Sequence, residues 1–171
     1  MSTHTVNRRA SGLFHSVFSF PNPVNEVAAR LVAAMTLVLA LAIIATGEVW
    51  LLVVLGSEFL ARVLTGPTLS PMGTLATRVL APRIGNRPVP GPPKRFAQSI
   101  GLAFSATALA LYFVTGSMLA PGVVLAVLSV FAGLEAFVGF CAGCFVFGYL
   151  MRWGVIPASV CRECDAGARL A

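Results

Sequence analysis

The chain has 171 residues, of which 57% are hydrophobic and only 11% are charged. So large an apolar share exceeds what one water-soluble core can bury, which excludes an ordinary soluble domain and indicates a membrane protein. The formal net charge is +6, but no nucleic-acid motif occurs and the basic residues are not interleaved with aromatics. We therefore expect no nucleic-acid partner and attribute the charge to loops beside a lipid bilayer.

Four apolar segments approach the length of about 20 residues that a membrane-spanning helix needs. They cover residues 31–46, 49–65, 96–115 and 119–150. Only Gly47 and Glu48 separate the first two, which fits a tight hairpin because one continuous span would bury Glu48. The sequence thus predicts an all-α fold, a four-helix transmembrane bundle over residues 29–152. A tail of residues 1–28 precedes it and a cysteine-containing tail of residues 153–171 follows it.

All twelve basic side chains fall on one side of this bundle. They precede the first segment, lie at or between the ends of the second and third, or follow the fourth, and the two opposite turns carry none. Positive charge marks the cytoplasmic side of a membrane protein. We therefore expect a multi-pass protein of the cell inner (plasma) membrane with both termini in the cytoplasm.

The region between the second and third segments, residues 66–95, begins with helix signals. Ser70 and Pro71 have the form of an N-cap followed by a first-turn proline. Apolar residues then recur at helical spacing as far as Pro82. This pattern predicts a short amphipathic helix over residues 69–81 that lies on the cytoplasmic surface of the membrane.

A basic, proline-rich loop follows at residues 83–93, and we expect it to be an extended connector. Lys94 and Arg95 come next, at the start of the third segment, where they are candidate contacts for lipid or for a partner protein. The third segment contains no further ionisable side chain. Its small residues favour close helix packing, so we assign this segment a packing role.

Three charged residues fall inside the apolar segments, where charge is costly. Glu58 and Arg62 are four residues apart and share a helix face, and Glu135 lies at a comparable depth in the fourth segment. We predict a buried cluster in which Arg62 pairs with Glu135 and is shared with Glu58. An internal ion pair that fixes packing is favoured over a proton or substrate relay.

All four cysteines occur in two C-x-x-C pairs, Cys141/Cys144 and Cys161/Cys164. A helix that crosses the ~30 Å hydrocarbon core from the outer turn reaches the cytoplasmic interface near the first pair. On an unbroken helix Glu135 points away from both of these cysteines. Cys144 is one turn nearer the cytosol, so we expect it to be the attacking thiol and Cys141 the resolving one.

The two pairs support two kinds of chemistry, and the sequence leaves both open. In dithiol–disulfide exchange one thiolate attacks a partner disulfide and its neighbour resolves the adduct, which requires no cofactor. Alternatively, all four cysteines bind zinc as a structural tetrathiolate in a non-enzymatic scaffold. A reducing cytoplasm argues against permanent disulfides. A small transporter has little support because no internal repeat occurs.

Several sequence blocks resemble a bacterial membrane family, DUF4395. These blocks are NPVN, SEFLAR followed by PTLSP, PPKRFAQSIGL and GLEAFVGFCAGC, within residues 22–150. The motif positions of the resemblance are Pro93, Lys94, Arg95, Phe96, Glu135, Cys141, Gly143 and Cys144. Members of the family look like companions of thioredoxin-like and sulfurtransferase proteins. The resemblance implies dithiol or sulfur exchange with such a soluble partner at the cytoplasmic face. It does not decide whether the chain is itself an oxidoreductase or a sulfur-relay component, or what its oligomeric state is.

Overall fold

The computed structural model describes residues 20–161 and Cys164. In chain order its elements are β1 (Val24–Asn25), α1 (Glu26–Thr46), α2 (Val49–Thr65), α3 (Pro71–Thr74), a π-helical stretch (Leu75–Leu80), α4 (Ala81–Ile84), β2 (Pro88–Val89), α5 (Gly91–Thr115), α6 (Leu119–Gly133), a second π-helical stretch (Leu134–Val138), α7 (Ala142–Arg152) and a short 3₁₀ helix (Ala158–Val160). The first 19 residues of the predicted N-terminal tail, and residues 162, 163 and 165–171 of the predicted C-terminal tail, lie outside the described residues.

Three of these helices are long and apolar enough to cross a membrane. They are α1, α5 and the continuous helix Leu119–Val138 that α6 forms with the second π stretch. Helix α2 has the bounds predicted from the sequence, but its 17 residues extend only about 26 Å, somewhat less than the ~30 Å hydrocarbon core. The chain is therefore a mostly helical protein with three candidate spans and two shorter helices, α2 and the apolar helix α7.

Helices α1, α2, α5 and α6 pack around one apolar core. Its fully buried members include Ile43, Leu52, Leu55 and Leu125. The α1–α2 hairpin turns at Gly47, which has a left-handed backbone (φ 71°) that glycine adopts at little cost. The Phe59 ring of α2 packs directly on Gly101 of α5, where a Cβ would overlap with the ring. This confirms the packing role predicted for the small residues of the third segment.

The helical region after α2 begins as predicted but ends later. Ser70 caps it by accepting a 2.9 Å hydrogen bond from the Gly73 N–H, and Pro71 occupies the first turn. The helix was expected to end at Pro82, yet it continues to Ile84. In the π stretch before Pro82 the Ala81 N–H bonds the carbonyl of Ala76, five residues back. Pro82 lacks the N–H that would normally donate to a helix carbonyl. Because it follows this wider π turn, the helix continues through it.

The proline-rich loop is not a free connector. Its strand β2 pairs antiparallel with β1, so that Val24 lies opposite Val89. The Asn25 side chain donates to the Gly85 carbonyl (3.1 Å) and accepts from the Arg87 N–H (3.2 Å). The NPVN block (residues 22–25) thus holds the proline-rich loop next to the start of α1 through strand pairing and side-chain hydrogen bonds.

The fourth apolar segment, predicted as one helix over residues 119–150, is broken. The helix ends at Gly139 in the left-handed conformation (φ 79°), a common way for a helix to stop. Arg30 of α1 donates to the carbonyls that this end leaves open, Nε to Ala136 (3.2 Å) and Nη2 to Phe137 (2.8 Å). A separate helix, α7, starts three residues later, and this break positions the first cysteine pair.

Candidate functional site

The second apolar segment holds a buried ion pair. Arg62 Nη1 lies 3.1 Å from Glu58 Oε2, as the four-residue spacing predicts. Both side chains are almost fully buried, and Glu58 also accepts a hydrogen bond from the Ser70 hydroxyl. Arg62 Nε donates to Gln98 Oε1 of α5 at 2.8 Å. Charges that are expensive in an apolar interior are therefore paired with each other and with neutral polar groups.

Glu135 pairs with Lys94 and not with Arg62, so the predicted Arg62–Glu135 pair is wrong. Lys94 Nζ lies 2.7 Å from Glu135 Oε1, and the two side chains are 10% and 15% exposed. The reason is that α5 begins at Gly91, earlier than the apolar run suggests, and this carries Lys94 into the bundle. The ammonium is therefore buried, which contradicts its assignment as a lipid or partner contact.

Arg95, the neighbour of Lys94, remains on the surface. Its Nε donates to the carbonyl of Val63 at 3.0 Å, near the end of α2, and its guanidinium lies 5.9 Å from the centre of the Phe20 ring. A basic side chain at a helix C-terminus satisfies a carbonyl that has no partner within the helix. Arg95 stays a candidate contact, while its hydrogen bond already gives it a role inside the protein.

Gln98 was missed in the sequence, although it binds one ion pair and lies one helical turn from a member of the other. Its side-chain oxygen accepts from Arg62 of the first pair, and it lies one turn beyond Lys94 of the second, on the same face of α5. That four-residue spacing was the available signal. Glu58 with Arg62 of α2, and Lys94 of α5 with Glu135 of the second π-helical stretch, thus form two neighbouring ion pairs, called here the polar layer.

Beside this layer lies a cavity of about 170 Å³, called here the central cavity. Its walls come from α1, α2, α5, α6 and α7, and most of its lining is apolar. Three polar residues reach it, namely Thr36, Gln98 and Glu135. Ala142 and Gly143, the two residues between the first pair of cysteines, also form part of its wall.

The first cysteine pair is at the N-terminus of α7. Cys141 is the N-cap residue, and its Sγ accepts a 3.2 Å hydrogen bond from the Cys144 N–H. The two cysteines are half-buried and joined by a disulfide. A Cβ on Gly143 would lie 2.6 Å from Cα of Ala97, so the C-x-G-C block needs glycine there. Gly139 and Gly143 are four residues apart in the sequence, but the helix break separates them.

The second pair, Cys161 and Cys164, also forms a disulfide, and Cys161 is buried. The neighbouring Val160 lines a surface depression together with Phe147 of α7. Each pair is closed on itself, so this structure does not join the four sulfurs in one tetrahedron. Within residues 20–161 and Cys164, no group of three or more histidine, cysteine or acidic residues is arranged to hold a metal ion.

The arrangement of the first pair suits thiol chemistry. A half-buried sulfur at a helix N-terminus receives a backbone N–H and the positive end of the helix dipole, both of which stabilise a thiolate. The same two sulfur atoms are joined here in a disulfide.

Comparison with known proteins places the chain in a family. No curated protein and no solved structure matches the chain. A family model described as "Domain of unknown function (DUF4395)" matches residues 24–152. That range holds all four helices that pack around the apolar core, the central cavity and the first cysteine pair. The chain therefore belongs to the DUF4395 family.

Proposed function

We propose that this protein is an integral membrane thiol protein that exchanges electrons or sulfur with a soluble thioredoxin-like or sulfurtransferase partner. The observation that carries the proposal is the position of Cys141 at the N-cap of α7, where its sulfur accepts a hydrogen bond from the Cys144 N–H. Proteins tune cysteines toward thiolates at such positions. The pair is half-buried, which leaves it within reach of another protein.

The exchange is a balanced two-step reaction. The Cys141 thiolate attacks a disulfide of the partner, and a mixed disulfide forms as one partner sulfur leaves as a thiolate. The Cys144 thiolate then attacks Cys141, which closes the internal disulfide and releases the partner as a dithiol. Run backwards, the same steps reduce this protein.

These roles reverse those expected from the sequence. The sequence predicts Cys144 as the attacking thiol only on an unbroken helix, where Cys144 is nearer the cytosol than Cys141. With the break at Gly139, Cys141 becomes the N-cap residue and receives the N–H bond. Cys141 is thus the attacking thiol and Cys144 the resolving one. Cys161 and Cys164 serve as a second station, near α7, that passes electrons to or from the first pair.

The proposal includes a membrane arrangement. Helix α2 is a short fourth span, both termini are cytoplasmic, and the helical region Pro71–Ile84 lies on the inner membrane surface. In support of that placement, Leu75 and Val79 are exposed on one side of this region, while Ala76 and Ala81 pack against α1. An apolar outer side of this kind suits the boundary between headgroups and acyl chains.

The test uses the full chain in detergent with a single-cysteine thioredoxin activated by 5-thio-2-nitrobenzoate. Cys161 and Cys164 are both changed to serine, and Cys144→Ser or Cys141→Ser then leaves one thiol. We expect the chain that retains Cys141 to release the coloured leaving group at least about tenfold faster, because its thiolate is stabilised. Equal rates, or a faster Cys144, would overturn the assignment. One zinc per chain that is lost on changing any one of the four cysteines would refute the exchange function altogether.

A further inference from the structure

We propose that the central cavity binds the ring of a membrane quinone. This inference rests on the proposed function, because the quinone would be the electron partner of the Cys141/Cys144 pair on the membrane side. A protein that exchanges electrons with a soluble partner needs a second partner to complete a cycle, and a quinone is a two-electron carrier that dissolves in lipid.

The size and lining of the cavity fit one ring. Its volume is about 170 Å³, and a dry protein cavity of about 150 Å³ already accommodates benzene. The larger apolar residues of its walls are Phe59, Ile100, Phe104, Leu128 and Phe131. Aromatic and aliphatic walls of this kind suit the two faces of a quinone ring.

Three polar side chains in the cavity can bind the oxygens of such a ring. Thr36 is 3% exposed, and its hydroxyl forms no hydrogen bond with any of the described residues. Gln98 uses its oxygen for Arg62, and its NH₂ group has no partner among the described residues. Glu135 binds Lys94 through Oε1, which leaves Oε2 as an acceptor.

These groups match both redox forms of the ring. The NH₂ group of Gln98 and the hydroxyl of Thr36 can donate to the carbonyl oxygens of a quinone, and Glu135 can accept from the hydroxyl of a quinol.

The cavity reaches from the turn that holds the two cysteines to the outer surface of the helices. Ala142 and Gly143, between the two cysteines, form one part of its wall. At another part are Phe131 and Val146, which are 41% and 44% exposed on the outer surface of the helices. A lipid-soluble ring can therefore reach the cavity from the bilayer side and come to rest beside the cysteine turn.

The redox step balances without a further reagent. The reduced pair loses two electrons and two protons as the bond between Cys141 Sγ and Cys144 Sγ forms. The quinone gains the same two electrons and two protons and becomes a quinol. The protein is thereby reoxidised and can accept electrons from its soluble partner again.

Binding is tested with the full chain in lipid nanodiscs, an azido-ubiquinone photoprobe and mapping of labelled peptides. We expect labels on α1, α5 or α6 that excess ubiquinone-1 removes. Ala132→Leu fills the cavity and should lower labelling about tenfold or more. Ala126→Leu is the matched control, since Ala126 is exposed on the same helix, and should leave labelling unchanged. Thr36→Val keeps the shape but removes one hydrogen bond, for a loss of roughly fivefold.

The outcomes separate this inference from the proposed function. The Cys141→Ser/Cys144→Ser protein should still be labelled although it cannot exchange thiols. Equal labelling of the Ala132→Leu and Ala126→Leu proteins would overturn the quinone site, as would an acyl chain that ubiquinone-1 does not displace. If Ala132→Leu fails to fold, the labelling of Thr36→Val tests the site instead. Undiminished labelling of Thr36→Val would then refute the quinone site. Positive thioredoxin trapping beside a failed quinone test would leave the proposed function standing.

Discussion

Removing the Lys94 ammonium should destabilise the protein much more than removing both members of its ion pair. The two side chains are 10% and 15% exposed, so Lys94→Met leaves the Glu135 carboxylate without its partner in an apolar surrounding. Breaking a buried pair in this way costs about 3–5 kcal/mol, and the residual exposure places the expected loss near 3 kcal/mol. Lys94→Met with Glu135→Gln leaves no charge to desolvate, so that loss should stay below about 1.5 kcal/mol.

The measurement is reversible unfolding of the full chain in mixed micelles of increasing denaturing detergent, read by circular dichroism. Arg95→Met is the matched control, because Arg95 is the next residue and is exposed, and its loss should stay below about 1 kcal/mol. A double mutant in which the two single losses simply add, within about 0.5 kcal/mol, would refute the pairing. Coupling of Glu135 to Arg62 that exceeds its coupling to Lys94 would restore the pair predicted from the sequence.

Two further predictions concern helix packing and orientation. Gly143→Ala places a Cβ 2.6 Å from Ala97 and should lower the free energy of unfolding by about 1–3 kcal/mol. Gly148→Ala, which adds its methyl group in open space on the same helix, should be neutral or stabilising. The same unfolding assay compares the two variants, and equal losses of stability would contradict the contact between Gly143 and Ala97. Reporter fusions after Arg95 and after Ser117 should report the cytoplasm and the outside respectively, and the reverse pattern would rule out the proposed orientation.

The sequence was informative where a structural signal is local. The bounds of α2, the turn at Gly47 and the cap at Ser70 each depend on a few neighbouring residues, and the structure has all three. The ion pair of Glu58 with Arg62 belongs to the same group, because four residues on one helix fix their proximity.

The features that were missed depend on contacts between distant parts of the chain. The partner of Glu135 follows from how far α5 reaches toward α6, and no spacing within one segment reveals this. Strands β1 and β2 have two residues each, too short for a periodic pattern. The break at Gly139 lies deep inside an apolar run, with no proline next to it that would indicate the end of a helix. Arg30 supplies donors to the open carbonyls there from more than 100 residues away.

The hydrogen bonds of Arg30 show that a basic residue at the end of a span can have a structural role in addition to its charge. The charge of such a residue helps to fix orientation while the chain is inserted, and lysine would serve equally well at that stage. In the folded protein, however, Arg30 reaches two carbonyls at once, from Nε and Nη2, which the compact ammonium of lysine does not reproduce. Arg30→Lys would therefore insert normally and yet leave the turn before the cysteine pair loosely held. Membrane insertion thus requires only a positive charge at position 30, whereas positioning of the cysteine pair requires the guanidinium group of arginine.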